Sequence, residues 1–366
     1  MEVPIMNFHC NKDMNRYTIF QVNKHNVAAA LLGLLLIVIS CQREDIQKIE
    51  VENTPIEFSG ITSWLDTKAD GGSATSVLPS NNFIVWAQNS SNYSVLGSNG
   101  TVVSTSDGGA TWTYSPVRYW QNGTYNFYAV SPADKATGTL SSAGLVLSFG
   151  NGWNLSTEQP QTDLLIAKQT INGSTQVNKD GGPNKVSLTF DHMLSKISFS
   201  ARNAESSNVV FSVTRIKVYG LHKTAERVTV SSSSSTWSLD DNNKSTSDSE
   251  FKDISLQQPK QLSTEKVTEN GVERYKYTNL CDKFIVFPET ATIVVEVTYN
   301  QTYNGATASV TKSATISPTL AAGYEYDFKL KINADAIAID SEPTVTPWVS
   351  KDSNNNDLVV DDPIEM

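Results

Sequence analysis

Few residues in this chain could do chemistry, and they are scattered. Asp191-His192 sets a carboxylate beside an imidazole at the end of an apolar-alternating run. Such a pair can serve in catalysis, but a corner histidine bonded to backbone is the plainer reading. His192 and His222 are the only histidines after residue 41, which excludes a histidine-rich metal centre. Asp240-Asp241 and Asp361-Asp362 could offer oxygens to calcium, yet neither has the regular ligand spacing of a calcium loop, so both read as solvated acidic turns. Thr105-Ser106-Asp107-Gly108-Gly109-Ala110-Thr111-Trp112 fits the Asp-box pattern of sialidase propeller blades, but it occurs once. A propeller would need related repeats about 40–50 residues apart. The plain reading is a hairpin in which Asp107-Gly108 turns the chain and Trp112 packs inward; the alternative puts Asp107 and Trp112 in a glycan-binding or glycosidase site. Tyr119, Trp120, Tyr125 and Tyr128 could form a sugar-binding platform, although alternate aromatics in a sandwich are usually core. Cys281 lies beside an apolar strand with no base near it in sequence and reads as a buried, inert thiol. No glycine-rich loop is built to cradle a phosphate. The expectation is a protein that is not an enzyme and needs no metal or cofactor.

Cys41 is different, because what precedes it gives it a role. Val27 to Ile39 is almost wholly apolar but shorter than the roughly 20 residues a membrane span needs. Arg16, Lys24 and His25 come before it, in the basic-then-apolar order of a secretory signal. Val38-Ile39-Ser40-Cys41 resembles a bacterial lipobox, which implies lipid on Cys41. The competing reading is a short anchor or buried helix, but no apolar run follows Cys41 to lengthen a span. Met14 is an alternative start, giving a more usual basic leader. Residues 1–40 are therefore expected to be a signal peptide and 41–53 a lipidated tether. Gln42-Arg43-Glu44-Asp45 loosely resembles the acidic signal that directs such lipoproteins to the outer face of an outer membrane.

Loss of residues 1–40 removes Glu2, Asp13, Lys12, Arg16 and Lys24, leaving 25 basic and 36 acidic residues, a net charge of −11. An acidic chain with no basic cluster argues against nucleic acid or anionic lipid headgroups as partners. Cys281 would be the one thiol of the folded part, so no intramolecular disulfide forms there. The core must supply stability, and a chain of this size can build one.

The elements that would position these residues are strands. Thr54, Ile56 and Phe58 alternate, as do Val186, Leu188 and Phe190, then Ile197, Phe199 and Ala201. Phe83 to Gln88 reads as a strand buried on both faces, and Tyr125 to Val130 as another, stopped at Ser131-Pro132. Leu145 to Phe149 and Asp163 to Lys168 add two more. A polar hinge, Arg202 to Asn208, separates this set from a second. In Val209 to Leu221 the apolar parity slips near Arg215, which predicts a bulge. Strands follow at Phe284 to Phe287, Ile293 to Tyr299, Ala308 to Ile316 (interrupted by Lys312) and Tyr324 to Ile332, with Trp348 locking a last one. No sustained 3.6-residue period occurs. The expectation is an all-β protein of two tandem β-sandwiches, residues 54–203 and 204–350, with residues 351–366 as a C-terminal tail.

Together these segments resemble the fimbrillin family of Bacteroidetes-type bacteria, Mfa-like lipoprotein precursors of adhesive pili. The carrying residues are Ile56-Glu57-Phe58, Thr67-Lys68-Ala69, Phe83-Ile84-Val85-Trp86-Ala87, Tyr119-Trp120 before Tyr125-Asn126-Phe127-Tyr128-Ala129, Asp163 to Ala167, Val186 to Ile197, and Ala321-Ala322-Gly323-Tyr324. The resemblance implies two transthyretin-like β-sandwich domains and assembly by donor-strand exchange. In that exchange a protease cutting after Arg or Lys frees the first strand, and a neighbour's C-terminal strand fills the groove. It implies Lys68 as the cleavage site and Thr54, Ile56 and Phe58 as the displaced strand. Leu358, Val359 and Val360 become the donor, with Val345 to Val349 as an alternative part of it. The implied partners are other pilus subunits, the outer membrane through lipid on Cys41, and surface glycans or proteins of host or bacterium. The implied location is the outer-membrane surface or fimbrium. The alternative function is a non-polymerising surface lipoprotein that binds glycans.

Overall fold

Alternating apolar and polar side chains put one face of a strand into a core and the other into water. This pattern dominates the protein, whose structure is a computed structural model describing residues 54–63, 78, 81–121, 123–135, 137–157, 160–172, 185–205, 208–269 and 271–348. Among the described residues there are 22 strands, one 3-10 turn at Asp241–Asn243 and no α-helix. The protein is all-β.

The first sheet runs, in spatial order, β1 (Glu57–Ser63), β8 (Lys185–His192), β7 (Leu165–Asn172), β4 (Thr124–Ser131), β2 (Asn82–Asn89) and β3 (Thr101–Ser104). Its pairings are antiparallel except β1 on β8, which is parallel. A second sheet is β12 (Ser235–Leu239), β11 (Thr224–Val230), β6 (Gly144–Asn154) and β5 (Thr137–Ser141). A third is β13 (Lys252–Gln261), β10 (Val209–Tyr219), β18 (Ile293–Tyr303) and β19 (Ala306–Ile316). The fourth is centred on β9 (Ser195–Asn203) running parallel to β20 (Tyr324–Ile332). The short strands β16 (Thr278–Asn279) and β17 (Phe284–Val286) pair with β9, while β21 (Ile337–Ile339) and β22 (Thr344–Pro347) pair with β20. A separate ribbon, β14 (Lys266–Glu269) with β15 (Val272–Tyr275), completes the set.

Most strands fall where the apolar alternation puts them. In β8, Val186, Leu188 and Phe190 are buried and their neighbours exposed. In β2, Phe83 to Gln88 alternates between two buried faces, all but Ile84 being buried. The bulge expected near Arg215 is present: the register of β10 shifts between Val213 and Arg215 against both of its neighbours. Lys312 stands opposite Val297 on the inward side of β19, an edge strand, where a charge discourages another chain from adding to the sheet.

The strands do not sort by the boundary expected at residues 203 and 204. β6 pairs with β11 at Leu145 to Ser148 and again at Trp153 and Asn154, and β9 pairs with β20 from Lys196 to Asn203, so partners lie on both sides of that boundary. The described residues of the polar stretch read as a hinge are tied down. The Asn203 amide donates to the Val209 carbonyl at 2.6 Å and accepts from the Glu205 N–H, and the Glu205 carboxylate accepts from the Ala334 N–H. One continuous apolar cluster runs from Trp86, Tyr128 and Leu147 through Phe149, Trp237 and Phe287 to Phe211 and Phe328. On the other face of the first sheet, Phe58, Phe83, Phe127 and Phe190 form a second aromatic group with Trp112 and Trp120.

Candidate functional site

The residues read as a displaceable strand lie at an edge of the first sheet, held from two sides. Ile56 donates its backbone N–H to the Arg118 carbonyl at 2.8 Å, and the Trp120 N–H donates to the Thr54 carbonyl at 2.9 Å. From Glu57 onward the chain pairs instead with β8, Phe58 lying beside Val186. The Tyr114 hydroxyl donates to the Ile56 carbonyl at 2.7 Å and accepts from the Arg118 N–H, which reinforces the Arg118 side. Burial raises the Tyr114 pKa, so this donor stays protonated. Sequence reading missed Tyr114 and Arg118, since no local pattern marks a bond between residues about sixty positions apart.

Side-chain parity follows the expected alternation. Ile56 is fully buried and Phe58 is 3% exposed, while Thr54 is half-buried. Phe58 makes edge-to-face contacts with Phe83 and Tyr114, each at 5.7 Å between centroids, and with Phe127 at 6.3 Å. These rings anchor the strand. The only charged contact of its described residues, Glu57 with Lys185 at 3.6 Å, is solvent-exposed on both sides and adds little. Cys41, Lys68 and the tail residues Leu358, Val359 and Val360 lie outside the described residues.

At the other end of the described chain, Trp348 is locked as expected. Its indole stacks on the His192 ring at 4.2 Å and 9°, and the Lys196 ammonium lies 4.0 Å from the indole centroid. Its backbone N–H donates to the Gly323 carbonyl at 2.7 Å. Lys196 also pairs with Glu325 at 3.2 Å. His192 is not bonded to backbone; its Nδ1 meets Asp163 Oδ2 at 2.5 Å. The reason is tertiary, because β7 and β8 pair at Leu165 and His192 and so bring Asp163 beside the ring. The residues Val345 to Pro347, considered as part of a donor segment, are paired with β20 of their own chain.

The remaining chemical candidates resolve into structure. Asp107 closes the turn after β3: it accepts the Thr111 N–H at 2.9 Å and the Thr105 hydroxyl at 2.7 Å. Those bonds, the backbone one first, lower its pKa to about 2. Trp112 packs on Phe83 at 5.2 Å, so the single Asp-box is a hairpin turn. Trp120, Tyr125 and Tyr128 are buried, and only Tyr119 of the suspected platform is exposed, at 49%. Cys281 is buried, and burial pushes its thiol up to about 11, far from a reactive thiolate. His222 Nδ1 sits 2.6 Å from Glu289 Oε2, a buried pair that ties the start of the β10–β11 turn to the β17–β18 connection. Among the described residues no group of three or more His, Cys, Asp or Glu could hold a metal ion.

Residues 67–348 match the family described as Fimbrillin-like. No curated protein matches the chain. Among solved structures, a proposed cell adhesion protein from Bacteroides uniformis ATCC 8492 is 15% identical, with a TM-score of 0.43 over 81% of this chain and 99% of that one. A second proposed cell adhesion protein, from Parabacteroides distasonis ATCC 8503, is 12% identical, with a TM-score of 0.43 over 80% and 94% of the two chains. The fimbrial anchor protein Mfa2 from Porphyromonas gingivalis is 11% identical, with a TM-score of 0.34 over 80% of this chain and 98% of that one.

Proposed function

The chain belongs to the fimbrillin-like family, and from that premise we propose that it is a structural subunit or adhesin of cell-surface fimbriae. It acts without catalysis, as a lipoprotein precursor carrying lipid on Cys41 at the outer membrane, with other fimbrial subunits as its partners. Assembly proceeds by exchange of β1: cleavage after Lys68 frees residues 41–68, and a neighbour's tail segment containing Leu358, Val359 and Val360 takes the vacated place.

One observation carries this reading. β1 is an edge strand that ends at Ser63, five residues before Lys68, yet its Phe58 and the preceding Ile56 are as buried as a central strand's side chains. A cut at Lys68 would release the whole strand. Its departure would expose the β8 edge, from Lys185 to Phe190, and a slot lined by Phe83, Tyr114 and Phe127. An unpaired edge beside an apolar slot is what an added strand needs, main-chain bonds giving affinity and alternate side chains giving fit.

The test is direct. The purified chain from Gln42 onward is treated briefly with trypsin, incubated, and run unboiled on SDS gels. The expected result is a cut near Lys68 followed by a ladder of SDS-resistant multimers. Cleavage there with no ladder would overturn the exchange mechanism, and Lys68→Ala leaving cellular processing unchanged would remove Lys68 as the site.

A further inference from the structure

A cavity of about 220 Å³ lies between the β2–β3 connection and β5, on the face of β2 opposite the Phe58 slot. Gln88, Asn92, Ser94, Asn99, Thr139 and Leu140 line it. The lining contains amides and hydroxyls and no ionisable side chain. Each amide offers two donors and an acceptor, and each hydroxyl one donor and an acceptor. Such a set matches a ligand that itself presents adjacent groups able both to donate and to accept. It gives no charge with which to hold a phosphate, a carboxylate or a cation.

One buried polar atom of the lining lacks a protein partner among the described residues: the Ser94 hydroxyl. A buried polar group left unpaired lowers stability, so its retention needs a reason. Trp86 is fully buried behind the lining, where two glycines pack on its ring. A Cβ on Gly138, a lining residue, would fall 2.3 Å from the indole, and one on Gly100, beside Asn99, would fall 2.7 Å from it. No side chain larger than hydrogen fits at either position without moving the ring. Leu140 gives the lining its apolar component beside the amides and hydroxyls.

We propose that this cavity is a binding site for a neutral sugar residue. Adjacent hydroxyls on a ring with weakly apolar C–H faces fit amide and hydroxyl walls that include Leu140, and a single hexose suits the volume. The proposal stands apart from strand exchange, since none of the lining residues belongs to the β1 slot.

The experiment is saturation-transfer NMR on the full chain with methyl glycosides of glucose, galactose, mannose and N-acetylglucosamine. Glucuronic acid and N-acetylneuraminic acid serve as charged controls. At least one neutral glycoside is expected to bind saturably, with a Kd on the order of 1 mM, as suits so small a ligand. Asn99→Leu and Thr139→Val, both at exposed positions, are each expected to weaken that binding about tenfold. Neither should change the melting temperature or the SDS ladder. Absence of binding by every neutral glycoside would overturn the proposal. Preference for the charged sugars, or binding that survives both substitutions, would overturn it equally.

Discussion

Asp107 shows how a chemically suggestive residue can be purely structural. Its carboxylate caps a turn by accepting one backbone N–H and one hydroxyl, and both bonds favour the charged form. The folded pKa, about 2, lies below the ordinary value of 3.8. Its contribution to stability is therefore fully present above pH 4 and is lost as pH falls toward 2. We expect carbon-detected NMR titration of the Asp107 carboxyl to give a midpoint near 2; a midpoint near 3.8 would show that the turn is not closed this way. His192 is the counterpart at which local reading fell short. The imidazole was expected to satisfy itself on backbone, whereas it lies between Asp163 and Trp348, neither of which is near it in sequence. Cys281 needed no tertiary knowledge, because a lone cysteine beside an apolar strand is usually buried, and it is.

At the scale of the element, β1 combines an exposed topological position with a buried side-chain face. Phe58 supplies most of its grip through three ring contacts. Truncating a buried phenylalanine costs about 3–5 kcal/mol in a closed core, and the lower figure fits an edge strand that can fray. Phe58→Ala should thus lower stability by about 3 kcal/mol in chemical denaturation and speed tryptic cutting of the N-terminal segment. Unchanged stability would mean that the strand is held by its backbone alone. The alternation of Ile56 and Phe58 was legible in the sequence, as was the bulge in β10. The clamp of Tyr114, Arg118 and Trp120 over Thr54 and Ile56 was not. Those residues sit in a non-repeating stretch between β3 and β4, and their partners are set by how the sheet folds back on itself. Several strands also escaped local reading, among them β5, β11 and β13. Their polar sequences carry too few apolar residues to show a period.

For the whole molecule, the crossing of strands over residue 203 has a thermodynamic consequence. A fragment of residues 204–366 lacks β6 and β9, leaving β11 without one neighbour and β20 without its parallel partner. Such a fragment is expected to show no cooperative thermal transition and no dispersed amide spectrum, while the chain from Gln42 melts in one step. An independently folded fragment would show that the continuous apolar cluster is not what couples the two halves. The sequence by itself determined the class: period-2 alternation and the absence of any helical period specify strands, because side-chain direction along a strand depends only on neighbouring residues. It also carried the family, through the order of short motifs along most of the chain. Only the tertiary structure decided which strands pair, that β1 and β8 run parallel at an edge, and that Gln88, Asn99 and Thr139 line one cavity. Pairing and cavity shape depend on contacts between residues far apart in the chain, where hydrogen-bond geometry and packing select a partner that no local pattern names.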